Sequence, residues 1–265
     1  MREGTYLKTP HYVGSGQYCY ANSLAMILAE QGAEYDPGYL ECLTCVSISA
    51  FWEPDGFPFL SSRYQSPDTG IHTALKHLGY AFEHRLPASF EEGLEGLSEL
   101  LQYGSVLIGP VDMGELSYIP NRQALQGVDH FVCVYGLDET YAYLHDPAGY
   151  PCMTMPLAAL KQAWRAENIE YRKGSYSGWG NIRRINVPDR DELFRLTDDK
   201  IASILILERK DRLGRLSDEM TGHLSFFSFQ LGARRALDYA RFYQPYDAET
   251  CKPQTKTSGM VRKSS

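Results

Sequence analysis

The chain lacks any apolar run long enough to cross a bilayer: no window of its 265 residues approaches the ~18 uninterrupted apolar residues of a spanning helix. Its first residues, Met-Arg-Glu-Gly-Thr-Tyr-Leu-Lys, lack the apolar stretch of a secretory signal, so a cytoplasmic location is expected. It also lacks positive charge in excess. Lys and Arg number 26 against 33 Asp and Glu, and the net charge of −7 argues against nucleic acid or an anionic membrane as partner. No second C-x-x-C accompanies Cys42 and Cys45, which removes the zinc-ribbon pattern. Their context, Tyr-Leu-Glu-Cys-Leu-Thr-Cys-Val, reads as a helix face turned into the core. His72, His77 and His84 fail as a metal set, because His72 and His77 fall off a shared helix face. No internal repeat is found, and without a signal the six cysteines do not demand disulfides.

What is present is an ordinary globular composition, 43% hydrophobic and 22% charged, in a chain long enough for one large or two small domains. A first helix is expected from residue 17 or 18 to about residue 30, stopped by Gln31-Gly32, and a second over 37–46. Residues 51–68, rich in Pro, Gly and aromatics, read as a long loop. Apolar periodicity predicts helices over 70–78, 89–102 and 155–165, and strands over 80–84 and 104–112, the latter interrupted at Pro110. Residues 129–137 and 141–146 form two β-rich runs around Asp138-Glu139-Thr140, a hairpin; Cys133 within it reads as a core residue. The fold class is α+β, helices first and then an antiparallel sheet. Residues 1–187 are expected to make one domain and 188–247 a mostly helical region packed on it. Within that region 189–208 reads as helix followed by strand and 224–243 as helix, and 248–265 is a polar, disordered tail.

The chemistry points to Cys19. It stands where a Gly/Ser-rich loop, Gly-Ser-Gly-Gln-Tyr, meets the apolar run Ala-Asn-Ser-Leu-Ala-Met-Ile-Leu-Ala. A thiol at a helix N-terminus meets unpaired N–H groups and the positive end of the dipole, which favour the nucleophilic thiolate. Acyl chemistry at a thiol also needs an imidazole and a group that orients it. His130 opens one strand of the hairpin, and Asp146 closes the other. A three-residue turn at 138–140 sets Leu137 opposite Tyr141 and Val132 opposite Asp146, so that His130 and Asp146 share one sheet face. A one-residue slip would part them. Taken singly, each has an ordinary reading: a core thiol, a structural histidine, an Asp-Pro turn former. Their order and context make a cysteine-nucleophile enzyme the leading reading.

Cysteine at a helix start, then His-Phe-Val-x-Val-Tyr-Gly-x-Asp, then Asp-Pro resembles the papain-like, bacteriocin-processing cysteine peptidases and their relatives. The likeness over residues 11–165 is greater to the N-terminal domain of the BtrH-type acyltransferases of butirosin biosynthesis. Those carry a segment like Val111-Asp112-Met-Gly-Glu-Leu116-Ser-Tyr118 ahead of the histidine strand. The resemblance implies a papain-like fold, its nucleophile helix packed on the sheet, with a helical C-terminal extension. It implies no cofactor and no metal. The peptidases place a glutamine oxyanion donor six positions before the nucleophile and usually a glycine after it; here those positions hold Val13 and Tyr20. Gln17, or the backbone amides of Cys19 and Tyr20, would serve instead.

By this resemblance Cys19 forms an S-acyl enzyme that an amine, another nucleophile or water resolves, with Asp112 and Tyr118 either positioning a small-molecule acceptor amine or serving as structural polar residues. The donor implied is an acyl carrier protein in natural-product assembly. Such an acidic partner would land on Arg165, Arg172, Lys173, Arg183 and Arg184, or on Arg209, Lys210, Arg212 and Arg215, the ordinary reading of which is a solvated charged face. The aromatic loop at 51–64 would be a lid. Peptidase or amidase activity, off-loading as a thioesterase or cyclase, and a non-catalytic scaffold with Cys19 as a core thiol are the alternatives.

Overall fold

The apolar run after Cys19 becomes a helix buried on nearly all sides, and the rest of the architecture is arranged around it. The computed structural model describes residues 5–6, 9–15, 17–52, 58–205 and 217–244. In chain order the first half comprises β1 (Thr5–Tyr6), α1 (Cys19–Glu30), α2 (Pro37–Thr44), β2 (Phe51–Trp52), β3 (Pro58–Phe59), α3 (Pro67–His77), β4 (Tyr80–Arg85), α4 (Phe90–Leu100) and β5 (Val106–Asp112). The second half comprises β6 (Asp129–Leu137), β7 (Tyr141–Asp146), β8 (Tyr150–Pro156), α5 (Leu157–Arg165), β9 (Gly178–Arg184), α6 (Arg190–Ile204), α7 (Asp218–His223) and α8 (Phe229–Phe242). A π-helical stretch, Leu224–Ser228, links α7 to α8. Among the described residues no helix is long and apolar enough to cross a membrane.

Local chemistry sets the helix ends. Asp36 caps α2 by accepting from Gly38 and Tyr39 N–H, with Pro37 at the first position. Ser89 caps α4 by accepting from Glu92 N–H, and Asp189 caps α6 in the same way. α1 ends where Gly32, at φ +75°, lets the chain turn back, its N–H on Ala29 O and that of Ala33 on Leu28 O. α3 begins at Pro67 rather than at 70, because proline fits a first helical turn.

The main sheet is antiparallel in the order β4-β9-β5-β6-β7-β8, with β1 also on β6. Its residues alternate between two cores. Leu107, Phe131, Cys133, Trp179 and Ile182 pack with α1, α2 and α3. Val106, Ile108, Val132, Val134 and Leu144 pack on the other face with α4 and α5, including Trp164. The sheet is therefore covered on both sides, which explains why β5 is buried along its whole length. Cys42, Cys45 and Cys133 are buried free thiols. Burial pushes the thiol of Cys45 up to about 12 and raises that of Cys42 and Cys133 as well.

Several expectations need correction. Residues 51–68 are not one long loop: β2 and β3 pair as a short ribbon, Phe51 opposite Phe59. Strands β8 and β9 were not expected, and β9 is internal, between β4 and β5. The β6–β7 turn is one residue tighter than the predicted one. Asp138 N–H bonds Tyr141 O, and Asp138 Oδ1 accepts from Thr140 and Tyr141 N–H, so Leu137 pairs with Ala142. A bulge at Tyr135 then restores the predicted register, Cys133 opposite His145. The region after 188 is helical at 190–204 and 218–242. The tail at 248–265 lies outside the described residues.

α8 joins the first core through Leu231, Tyr239 and Phe242. Arg235 Nε on α8 meets the buried Glu41 Oε1 of α2 at 3.0 Å, and Tyr239 OH donates to Cys42 O at 3.1 Å.

Candidate active site

Cys19 is the first residue of α1, half-buried and unpaired in any disulfide. The helix starts there, and not at 17 or 18, because Tyr18 is left-handed, at φ 71° and ψ 46°. That conformation costs a non-glycine residue on the order of 1–3 kcal/mol and needs surrounding contacts to hold it. Tyr18 offers no side-chain cap. The N–H groups of the first turn therefore remain free of a capping side chain and face the end where an anion is favoured.

Asn22, one turn on, ties the preceding loop to the helix. Its Nδ2 donates to the carbonyls of Gln17 and Tyr18, each at 2.9 Å, and Ser15 Oγ donates to its Oδ1 at 3.0 Å. Ser23 Oγ donates to Phe131 O at 3.1 Å and so fixes the helix to the strand that begins at Asp129.

His130 is 4% exposed, and its Nε2 lies 2.6 Å from Asp146 Oδ1. An ionised carboxylate only accepts, so Nε2 carries the hydrogen and Nδ1 is left for the thiol. Cys19 lies within hydrogen-bonding reach of this imidazole. Burial alone would lower the His130 pKa. The charge and hydrogen bond of Asp146, then those of Cys19, override burial and raise it to about 10.

Asp146 is fully buried and saturated. Oδ1 also accepts from Ala148 N–H at 2.7 Å, and Oδ2 accepts from Tyr118 OH at 2.9 Å. One side chain thus both orients the imidazole and closes the Asp-Pro turn. Its carbonyl accepts from Tyr12 OH at 3.0 Å, and the same phenol oxygen accepts from Gly149 N–H.

Of the other predicted site residues, Tyr118 joins the triad and Tyr20 the first turn of α1, while Asp112 and Gln17 bond to other loops or to Asn22. Of the two roles open to Tyr118, acceptor contact or structural polar residue, its hydroxyl bond to Asp146 fits the second; burial first, then that carboxylate, holds its phenol protonated. Asp112 had the same two roles open to it. Its Oδ1 accepts from Gly114 and Gly127 N–H and its Oδ2 from Asn168 Nδ2, so it knits loops together. Gln17 contributes its carbonyl to the Asn22 anchor. Tyr20 is buried, its ring edge-on to Phe131 at 5.9 Å, and only its backbone N–H belongs to the first turn. Val13 packs against the first core.

Tyr171 went unnoticed in the sequence, since residues 166–177 show no periodic pattern. Its hydroxyl donates to Asp129 Oδ2 at 2.7 Å. Burial, then Asp129, then the charges of Cys19 and Asp68 hold its phenol well above the ordinary value. Of the histidines, His72 and His84 meet ring to ring at 4.7 Å. His84 stacks on Trp179 and bonds Ser177 Oγ at 2.9 Å. Of the basic stretch, Arg165, Arg172 and Lys173 precede β9, while Arg183 and Arg184 end that strand. Arg209, Lys210, Arg212 and Arg215 lie outside the described residues.

The family described as "Butirosin biosynthesis protein H, N-terminal" matches residues 19–147, from the thiol to the proline after Asp146. The family described as "YobF C-terminal domain" matches 202–262. The "Uncharacterized protein YobF" of Bacillus subtilis (strain 168) is 36% identical over 251 residues, spanning 88% of this chain and 81% of that protein. Among solved structures, a putative C39-like peptidase from Bacillus anthracis is similar at TM-score 0.46 and 17% identity, over 67% of this chain and 96% of that one. The peptidase domain of Streptococcus ComA, a bifunctional ABC transporter involved in a quorum sensing pathway, has TM-score 0.39 and 20% identity, over 64% and 96%. The fold itself is α+β: thiol at a buried helix start, imidazole and carboxylate on neighbouring antiparallel strands.

Proposed function

The chain belongs to the family of the Bacillus subtilis protein YobF, and we propose that it is a cysteine enzyme of the papain-like, BtrH-related kind that transfers an acyl group through Cys19. The observation that carries this reading is the buried hydrogen-bonded chain Tyr118–Asp146–His130, whose imidazole interacts with the Cys19 thiol at the start of α1. His130, raised to about 10, already holds the proton on Nδ1 at neutral pH, and Cys19 Sγ attacks the carbonyl carbon of a thioester. The oxyanion forms against the N–H groups at the start of α1. Collapse breaks the bond to the leaving sulfur, which takes the proton from His130, and an S-acyl enzyme remains. An acceptor amine then attacks that thioester; His130 takes and keeps its proton, and Cys19 Sγ leaves as the thiolate.

Two observations favour transfer from a carrier. Position 13 holds a valine packed into the core, so no side-chain amide stands where a peptidase of this type keeps its oxyanion glutamine. Arg172 and Lys173 follow Tyr171 in the chain and would offer positive charge to an acidic acyl carrier protein.

Intact-mass measurement after incubation with an acyl-pantetheine thioester tests the reading. A mass gain of one acyl group is expected, absent in Cys19→Ala and discharged by added amines faster than by buffer. No adduct would sink the covalent mechanism. Discharge by water as fast as by any amine, or cleavage of peptides, would make the enzyme a hydrolase.

A further inference from the structure

The C-terminal region reaches the nucleophile loop through its last helix. Arg234 of α8 donates from Nη1 to the Ser15 carbonyl at 2.7 Å and from Nη2 to Ser15 Oγ at 3.0 Å. Ser15 Oγ passes its own hydrogen to Asn22 Oδ1, and Asn22 holds the carbonyls of Gln17 and Tyr18. One turn further along α8, Asp238 Oδ2 accepts from Tyr18 OH at 3.0 Å. The Arg234 guanidinium lies 4.3 Å over the Tyr18 ring. The left-handed backbone of Tyr18, which sets the helix start at Cys19, is thus gripped by α8 on one side and by Asn22 on the other.

Resting on the reading of Cys19 as the nucleophile, we propose that α8 positions the nucleophile loop, with Arg234 and Asp238 as positioning residues for the reaction. Packing of α8 does not require this pair, because Leu231, Tyr239 and Phe242 already seat the helix in the core. Arg234 remains about one-third exposed and spends both arms of its fork on Ser15. Asp238 is 8% exposed and is admitted so close only because residue 38 is glycine: a Cβ there would lie 2.6 Å from the Asp238 carboxyl carbon. A buried carboxylate and a forked guanidinium aimed at Tyr18 and Ser15 fix geometry, where an apolar contact would merely fill space.

The test is alkylation of the full-length protein by iodoacetamide at neutral pH, with Cys19 and the exposed Cys152 followed separately by peptide mass spectrometry. In the wild type Cys19 reacts faster than Cys152; if it does not, the reading of Cys19 as nucleophile fails, whatever α8 does. Arg234→Ala is expected to slow Cys19 about tenfold and leave Cys152 unchanged. Asp238→Ala slows it likewise, whereas Asp238→Asn keeps an oxygen for Tyr18 OH and restores the wild-type rate. Leu231→Ala loosens the packing of α8 without touching the loop, and leaves the Cys19 rate intact. Should Arg234→Ala not fold, Arg234→Lys, which keeps the charge but loses the fork, carries the same expectation. Wild-type rates in the Arg234 and Asp238 variants overturn the proposal. So does a loss in Leu231→Ala equal to theirs, which would make α8 a purely structural support.

Discussion

Tyr118 donates its phenolic hydrogen to Asp146 Oδ2, the carboxylate oxygen that His130 leaves unused. The two acceptor oxygens are thus divided: one turns the imidazole, and the other stops the carboxylate from rotating. A buried acceptor stripped of its donor costs about 1–3 kcal/mol, and the carboxylate gains a rotation it does not otherwise have. Tyr118→Phe is expected to lower stability by about that amount in urea unfolding and to slow acylation of Cys19 about tenfold. A role in binding the acceptor predicts a different result: normal acylation with slowed discharge by amine.

His130 gives a pH prediction. Burial lowers its pKa, but Asp146 and Cys19 raise it from 6.5 to about 10. A histidine raised by folding contributes stability that is fully present below about 6.5 and is lost as pH climbs through about 10. Asp146→Asn keeps the burial and removes the charge, so the imidazole in that variant titrates lower. The stability gap between wild type and Asp146→Asn should be widest near the acidic end of this window and narrow toward its alkaline end. Urea midpoints across the window measure it, and a constant gap would refute the assignment. Acylation in the variant is slowed rather than abolished, because His130 loses orientation and not its basic nitrogen.

How the site was legible in the sequence follows from where its signals lie. Cys19 announces itself by a loop-to-helix change within ten residues, and His130 and Asp146 by β-patterned runs at either end of one hairpin. The turn was misjudged by one residue, since Asp138 closes it with its side chain, and the bulge at Tyr135 that compensates has no sequence signature. β9 escaped because Gly178 and Gly180 break any alternation; a Cβ at 180 would lie 3.0 Å from Leu100, so the close approach of α4 requires the glycine. β8 carries Pro151 and Pro156, tolerable because it is the edge strand beyond β7. Tyr118 and Asp112 stayed open between substrate contact and structural polar residue, since polar residues near a nucleophile have two uses, and only geometry separates them. The grip of Arg234 on Ser15 spans 219 positions, beyond the reach of any local pattern.

The Arg235–Glu41 pair gives a stability prediction independent of catalysis. Its side chains are 11% and 0% exposed, and Arg235 also donates to Leu60 O at 2.9 Å. Removing one partner of such a pair strands a buried charge, at about 3–5 kcal/mol, whereas apolar replacement of both is often close to neutral. Glu41→Leu and Arg235→Met should each destabilise strongly, and the double variant should recover much of the loss. Urea unfolding of the four proteins in a cycle measures the coupling. Additive losses would show that the pair is not coupled.

Gly14 supports the carboxylate from outside the Tyr118–Asp146–His130 chain. A Cβ on it would lie 2.1 Å from Tyr12 Oη and 2.9 Å from the Pro147 carbonyl oxygen. Neither neighbour can yield freely: the carbonyl belongs to the Asp146–Pro147 turn, and the phenol is held between Asp146 O and Gly149 N–H. Gly14→Ala is therefore expected to destabilise by about 1–3 kcal/mol and to slow acylation, since any relief displaces the backbone that carries Asp146. Gly14→Ala combined with Tyr12→Phe removes the closest atom and should regain part of the stability. Gly32→Ala is the control. That glycine has φ +75° and open space around it, so its strain lies at the far end of α1 and should lower the melting temperature without changing the rate. A Gly14→Ala protein with wild-type stability and acylation rate would show that the turn does not depend on this contact.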